Sequence, residues 1–198
     1  MAEQIIDGTG RGYRVLVDSS NRLHTQSVTE TIVESASEDG RAFNINTGTI
    51  NLTTANESAL LYLKNNGDRD IHISSVGYLL GNSTGGSGDV ILKVIKNPTA
   101  GTVVSDAIAT DILENKNVGS SNIITVDAYK GGEGKTLTDG SDFYYSLIAG
   151  AARPYVISTG TVVIPKGGSI GVKVTPQTGN TSMNIQIFLS VIEYKEYN

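Results

Sequence analysis

Apolar and polar side chains alternate most regularly near the C-terminal end of the chain. Every second residue from Met183 to Val191 is apolar. Side chains at alternating positions share one face of a strand, whereas a helix would scatter them around its axis. The pattern therefore predicts a strand with one buried face. Phe188 and Ile192 interrupt its polar face, so we expect a partner chain or an N-terminal segment to cover part of that face.

Shorter apolar runs, bounded by Gly, Asn and Pro, recur through the rest of the chain after residue 40. The predicted strands are residues 59–64, 70–74, 76–80, 89–96, 155–164 and 169–175. Residues 81–88 are predicted to form a flexible loop, and residues 164–169 to close a hairpin. About eight strands at this spacing favour a single antiparallel β-sandwich, most like a jelly roll, over residues 41–198.

The first forty residues have a different pattern. Glycines punctuate residues 7–12, and short strand-like runs follow at 13–17 and 22–25. Residues 28–37 alternate weakly, with glutamates among the apolar positions. Such a segment has too few apolar side chains to form a hydrophobic core of its own, so it becomes ordered by lying on another surface. We therefore predict that residues 1–40 form an extended N-terminal arm with one hairpin.

Composition supports a β protein. Ser, Thr, Asn and Gly make up 77 of the 198 residues, a mixture that favours strands and turns over helices. A helical bundle, a coiled coil and a doubly wound α/β enzyme are therefore disfavoured. The chain shows no repeat of 20–50 residues, which argues against a propeller or a solenoid.

The net charge and the cysteine content limit the classes of partner and of chemistry expected for this chain. The net charge of −5 lacks the basic stripe that phosphate neutralisation requires, so we expect no nucleic-acid binding. The absence of Cys removes disulfides, thiolate catalysis and Cys-ligated metals. Neither a signal peptide nor a membrane-spanning segment is recognisable, which predicts a cytosolic product or one that leaves the cell by another route.

No catalytic motif is complete. Residues 131–136 resemble a phosphate-binding loop, but Tyr129 occupies the position of its first glycine and no helix-like pattern follows. His24 and His72 are the two histidines, and no Gly-x-Ser-x-Gly accompanies them. We therefore expect a surface loop, two ordinary histidines and no cofactor.

Carboxylates occur in pairs in predicted loops. These pairs are Asp68/Asp70, Asp106/Asp111 and Asp139/Asp142. Loop carboxylates can hold Ca²⁺, yet no spacing matches an EF-hand loop and Asp is common in turns, so we predict no metal site. A pair of glycosidase carboxylates assembles in space and stays open at this point.

Tyrosines suggest one ligand site. Tyr144, Tyr145 and Tyr155 flank residues 150–152, a candidate loop tip where exposed rings could stack on a sugar. Three other tyrosines lie in strand-like contexts where packing or an interface is the simpler explanation, namely Tyr62, Tyr78 and Tyr194.

The chain as a whole resembles virion structural proteins of tailed bacteriophages, of the head-decoration, auxiliary-capsid or head-fibre kind. The residues that carry this resemblance are 7–17, 21–23, 42–48, 59–65, 97–101 and 164–169. The resemblance implies an N-terminal segment that attaches the protein to the particle. It also implies a jelly-roll body that often assembles as a homo-oligomer, with a trimer favoured.

This resemblance gives the first functional hypothesis, a non-enzymatic protein on the capsid surface of a virion assembled in the host cytoplasm. Its partners would be the major capsid protein or other virion proteins. Within the arm, the expected attachment residues are Tyr13, Arg14, Leu16, Arg22 and Leu23. The second hypothesis is a carbohydrate- or receptor-binding fibre or tail module that uses the three tyrosines. The third, a hydrolase on a β-sandwich, has no motif to support it.

Overall fold

The computed structural model describes residues 31–104, 108, 113–149, 154–157 and 162–194 of the chain, with only the backbone given at 82 and 154–157. Its elements are one short helix and twelve strands. They are α1 (Ile32–Glu38), β1 (Ala42–Asn46), β2 (Ile50–Leu52), β3 (Ser58–Asn65), β4 (Ile71–Thr84), β5 (Val90–Lys96), β6 (Leu113–Asn115), β7 (Val126–Lys130), β8 (Ser141–Ile148), β9 (Pro154–Ile157), β10 (Val162–Ile164), β11 (Ser169–Pro176) and β12 (Ser182–Glu193).

The strands form two antiparallel sheets packed face to face, which confirms the predicted β-sandwich. The first sheet has the order β10-β4-β12-β1-β6, with β2 also on β12 and β9 also on β4. The second has the order β7-β3-β11-β5-β8. Among the described residues, no helix is long and apolar enough to cross a membrane.

Four antiparallel pairs are nested one inside another. β1 pairs with β12, β3 with β11, β4 with β10 and β5 with β8. Such nesting is a long hairpin rolled so that successive pairs alternate between the two sheets, which is the strand order of a jelly roll. Eight strands therefore build the roll, and β2, β6, β7 and β9 extend it.

The hydrophobic core lies between the two sheets, and one face of β12 is buried in it. Met183, Ile185, Ile187, Leu189 and Val191 are all buried, as their alternation predicted. The facing strand β11 buries Ile170, Val172 and Val174, while Lys173 points outward and is half-buried. Both predicted faces are confirmed.

Two strand boundaries differ from the prediction. β4 continues through Thr84, so only residues 85–88 of the predicted flexible loop remain outside a strand. The reason is pairing with β12, where Ser182 lies opposite Thr84 and Met183 opposite Ser83, which extends the ladder past Gly81. The predicted strand at residues 155–164 is described as β9 and β10, with residues 158–161 outside the described part.

The predicted hairpin at residues 164–169 was wrong. β10 pairs with β4 in the first sheet, whereas β11 pairs with β3 and β5 in the second. The Pro165–Gly168 turn, closed by a hydrogen bond of 2.8 Å from Gly168 N to Pro165 O, carries the chain from one sheet to the other. A tight turn is compatible with either outcome, because its local chemistry does not determine which strands pair.

The extended conformation predicted for residues 32–37 was also wrong, because α1 occupies them. Thr31 and Glu34 have the spacing of a capping box, and Glu34 and Glu38 have the spacing of one helical face. The compact unit that holds the sandwich begins at Ile32. In it Ala36 is fully buried in a small cluster with Ala42 and Ile192. Part of the outer face of β12 is thus covered by residues of the predicted arm.

Candidate interaction surfaces

The junction between α1 and β1 is the most elaborately bonded surface feature of the described chain. Gly40 adopts a positive φ of 67°, which ends the helix in the left-handed conformation that glycine tolerates. Arg41 N then donates to Ala36 O at 2.7 Å, and Gly40 N donates to Ser37 O at 3.1 Å. This pair of bonds is a Schellman motif, and it turns the chain from the helix directly into β1.

Three asparagine side chains hold this turn from the outside. Asn117 Nδ2 donates to Glu38 O at 2.8 Å, and Asn122 Nδ2 donates to Asp39 O at 3.1 Å. Asn115 Nδ2 donates to Gly40 O at 2.8 Å. Three successive carbonyl groups at the end of the helix are therefore satisfied by the last residue of β6 and by the loop that follows it. We call this arrangement the asparagine clamp.

The loop that carries the clamp is ordered by its own side chains. Asn115 Oδ1 accepts from Asn117 N at 2.9 Å, and Asn117 Oδ1 accepts from Gly119 N at 3.0 Å. Ser120 Oγ accepts from Asn122 N at 3.1 Å. These are Asx- and Ser-type turns, in which a side chain replaces a backbone acceptor. These turns fix the conformation of the loop and therefore the positions of the clamp amides.

Arg41 fixes the other side of the junction. Its guanidinium is almost buried, with the residue 9% exposed, and Nη1 donates to Glu193 O at 2.8 Å. Nη2 forms an ion pair with Asp39 at 2.8 Å, and Arg69 forms one with Glu193 at 2.9 Å. A cleft of about 620 Å³ lies between these groups and Ile123 of the clamp loop.

The two elements that meet at this junction carry exposed apolar side chains. They are Ile32 and Val33 of α1 and Val118 and Ile123 of the clamp loop. Contiguous exposed apolar patches are typical of interaction surfaces. The arm residues predicted to attach the protein lie outside the described residues; they are Tyr13, Arg14, Leu16, Arg22 and Leu23.

The three candidate ligand tyrosines lie on two different sheets. Tyr144 and Tyr145 are in β8 of the second sheet, and Tyr155 is in β9 of the first, opposite Tyr78. Tyr144 is half-buried and packs against the core, whereas Tyr145 is 59% exposed. The side chain of Tyr155 and the predicted loop tip at residues 150–152 lie outside what the structure describes. The ligand site stays a prediction.

Tyr145 lies beside a group of three charges. It is opposite Lys93 on β5, and Lys93 Nζ contacts Glu57 at 2.8 Å. Lys173 Nζ contacts the same carboxylate at 3.2 Å. Partial burial raises the pKa of Glu57, but the hydrogen bonds and charges of the two lysines outweigh it, so that this pKa lies below its usual value of 4.5.

The loop that resembles a phosphate-binding loop has a structural role. No helix follows it, as predicted, since Gly134 and Lys135 lead towards the strand-like contact at Thr138. Glu133 accepts hydrogen bonds at 2.7 Å from both the backbone N and the Oγ1 of Thr53, and these bonds lower its pKa. A Cβ on Gly131 would lie 1.8 Å from Ala59 O, so close backbone approach explains that glycine.

The other candidate groups lie apart from one another. His72 stacks on Tyr194, with ring centroids 4.6 Å apart, and Asp68 pairs with Lys166. Tyr62 and Tyr78 are buried, as their strand contexts predicted. Within the described ranges, no three His, Asp or Glu side chains are placed to hold a metal ion. His24, Asp106 and Asp111 lie outside the described residues.

Sequence reasoning did not find the asparagine clamp, because its partners are 75 to 83 positions apart. The capping-box spacing at Thr31 and the glycine at position 40 were the signals that could have located the helix it holds. No protein-family model matches this chain, and no curated protein matches it.

Proposed function

We propose that this chain is a non-enzymatic structural protein of a tailed-phage virion, which attaches to the particle through its N-terminal segment and displays the jelly roll outward. The observation that carries the proposal is the asparagine clamp with Arg41. These groups tie residues 38–41 to the loop after β6 and to the end of β12.

A segment that attaches a domain to a particle positions that domain only if it is fixed where it joins the domain. If residues 32–41 were held only by the backbone, they would act as a flexible linker. Here Ala36 is buried in a cluster with Ile192, and three amides bind the carbonyls of residues 38–40, so α1 is fixed on the roll. The exposed apolar side chains of α1 and of the clamp loop, with Val118 and Ile123 among them, favour a partner surface.

Attachment at many sites of one particle would tolerate a weak individual contact. Copies on a lattice act together, because each bound neighbour raises the effective concentration of the next. The major capsid protein is the partner that presents such a lattice, and the capsid surface is the proposed location. A homo-oligomer, with a trimer favoured by the resemblance, would multiply the arms of each unit.

Binding to particles that lack the protein tests this proposal. The full chain should co-sediment with such particles, and a chain without residues 1–30 should not. The truncation keeps α1 and the clamp, so circular dichroism and thermal unfolding should still report the folded roll. Tyr13→Ala and Leu23→Ala in the full chain should weaken attachment. Full binding of the truncated chain would refute the attachment role of the arm.

The alternative, a carbohydrate- or receptor-binding fibre or tail module, draws on one observation. Tyr145 presents an exposed ring next to the ammonium group of Lys93. A glycan array with Tyr145→Ala and Tyr155→Ala separates the alternatives, because glycan binding lost in both variants would favour the module. If the unchanged chain binds no glycan, or if both variants bind glycan as the unchanged chain does, attachment is the better account.

A further inference from the structure

Strand β8 forms one edge of the second sheet. Its described neighbour is β5, and within the described ranges no strand pairs with its other side. An edge strand presents unpaired backbone N–H and C=O groups, which are a template for another strand. Proteins usually block such edges with Lys, Pro or very short strands. β8 has eight residues, no Lys and no Pro, and Asp142 is its only charge.

The outward face of β8 is apolar. Tyr145 and Leu147 are on this face, opposite Lys93 and Ile91, and are 59% and 63% exposed. Phe143 lies at a register shift and lines a pocket with Ile164 and Ile170 instead. Tyr144 and Ser146 on the other face are half-buried, and Ile148 is in the core. Two large exposed apolar side chains beside an edge that no described strand pairs with favour association through that edge.

The regular part of the edge is symmetric about one residue. The register of β8 on β5 shifts between Val94 and Ile95, which leaves Phe143 at a bulge. Regular pairing therefore spans Tyr144 to Ile148, and Ser146 is its midpoint. We propose that β8 of a second copy of this chain pairs antiparallel with this edge, about a two-fold axis at Ser146. Tyr145 of each copy then lies opposite Leu147 of the other.

The side chains at this contact are compatible with the pairing. An aromatic ring opposite an aliphatic side chain is a favourable cross-strand pair. Lys93 is on β5, the strand next to β8, and forms an ion pair with Glu57. The two copies of Lys93 would be three strand spacings apart, about 14 Å, which exceeds the Debye length of about 8 Å at physiological salt.

The apolar area that this pairing would bury indicates how strongly the two copies associate. Side chains of this size bury about 150–250 Å² each when packed, so the exposed fractions of Tyr145 and Leu147 correspond to on the order of 200 Å² per copy. A stable interface buries about 800 Å² per partner. The pairing should therefore be weak and concentration-dependent, and a two-fold contact should double whatever unit is present, a monomer to a dimer or a trimer to a hexamer.

This inference goes beyond the proposed function and rests on the jelly roll alone. Sedimentation equilibrium of the full chain over a wide concentration range tests it. We expect mass to double with concentration, and Leu147→Lys to weaken that step at least ten-fold. Val104→Lys, at an exposed apolar position outside β8 and the clamp loop, is the matched control and should not change it. A mass independent of concentration, or equal association in Leu147→Lys, would overturn the proposal.

Because the chain has no Cys, thiols can test the register directly. A mixture of Tyr145→Cys and Leu147→Cys chains should form disulfide-linked pairs on oxidation, since directly opposite side chains lie within reach. Either variant alone should cross-link much less, because the like positions are diagonal and about 7–8 Å apart. Thermal unfolding checks that both variants are folded. Cross-linking of Tyr145→Cys alone as efficient as that of the mixture would contradict the axis at Ser146.

Discussion

The ring of Phe188 lies directly over Gly77, its partner across β12 and β4. A Cβ on Gly77 would lie 2.0 Å from Cε2 of that ring, and the two residues are paired in the strand register. An aromatic ring placed over a glycine shields the backbone that the missing side chain leaves open. Phe188 therefore stands on the outer face of β12 because Gly77 makes room for it.

Gly77→Ala should consequently destabilise the protein, by about 1–3 kcal/mol, because the new methyl group displaces the ring. Urea unfolding measures this change. Removing the ring in the same chain, as Gly77→Ala with Phe188→Ala, should cost less than the sum of the two single changes. Gly132→Ala is the control, since nothing lies within 4 Å of its Cβ position and its φ is not positive. Additive costs would show that the ring and the glycine are not coupled.

Asn122→Ala tests the asparagine clamp. It removes the bond to Asp39 O and should cost about 0.5–1.5 kcal/mol of unfolding free energy. Asn117→Ala should cost more, because Asn117 also orders its own loop through Gly119 N. Amide hydrogen exchange should accelerate at residues 36–41 in both variants.

Asn56→Ala is the matched control for the clamp. Asn56 is exposed, and its side chain makes no hydrogen bond within the described part of the chain. If the clamp variants lose no more stability than Asn56→Ala, and hydrogen exchange at residues 36–41 does not change, the clamp does not hold the junction.

The Glu57 cluster should make stability depend on pH. The pKa of Glu57 is lowered by Lys93 and Lys173 against the effect of burial, and the hydrogen bond with Glu57 raises the pKa of Lys93. A carboxylate with a lowered pKa contributes stability above its unfolded-state pKa of about 4.3, which is lost as the pH falls through the folded value. The contribution of Lys93 is present below its ordinary pKa of 10.5 and is lost as the pH rises through its folded value.

Glu57→Gln should therefore be less stable than the unchanged chain at neutral pH, and the difference should disappear in acid. Unfolding free energies measured from about pH 7 down to pH 3 give the comparison. Glu114→Gln, at an exposed carboxylate on β6, is the control and should follow the unchanged chain. A difference between Glu57→Gln and the unchanged chain that persists unaltered at low pH would contradict the role assigned to the ion pairs.

Much of the fold could be predicted from local pattern, and the surfaces could not. The alternation from Met183 to Val191 determines which face is buried, because a period of two depends only on the strand geometry. The crossing from β10 to β11 has no local signature, since Pro165 and the glycines after it allow either a hairpin or a change of sheet. The bond from Asn117 to Glu38 joins residues 79 positions apart, and no spacing in the sequence indicates it.

The surface at the β8 edge could be predicted from the sequence only in part. Phe143, Tyr145 and Leu147 alternate visibly in the sequence, yet alternation alone does not tell an inner face from an outer one. The burial of the folded chain shows that Tyr145 and Leu147 face outward, and the register shift at Phe143 breaks the alternation before them. The prediction that Tyr144 and Tyr145 serve one ligand site beside a loop did not foresee that they lie on opposite faces of one strand.

Quantitative mass spectrometry of purified tailed-phage particles tests whether this chain is an attached virion protein. The full chain should remain with the particles at a fixed ratio to the major capsid protein, while a chain without residues 1–30 should be lost. Hundreds of copies per particle would indicate decoration of the capsid, and a dozen or fewer would indicate a vertex, neck or tail part. Absence of the full chain from purified particles, or equal retention of the truncated one, would contradict the account.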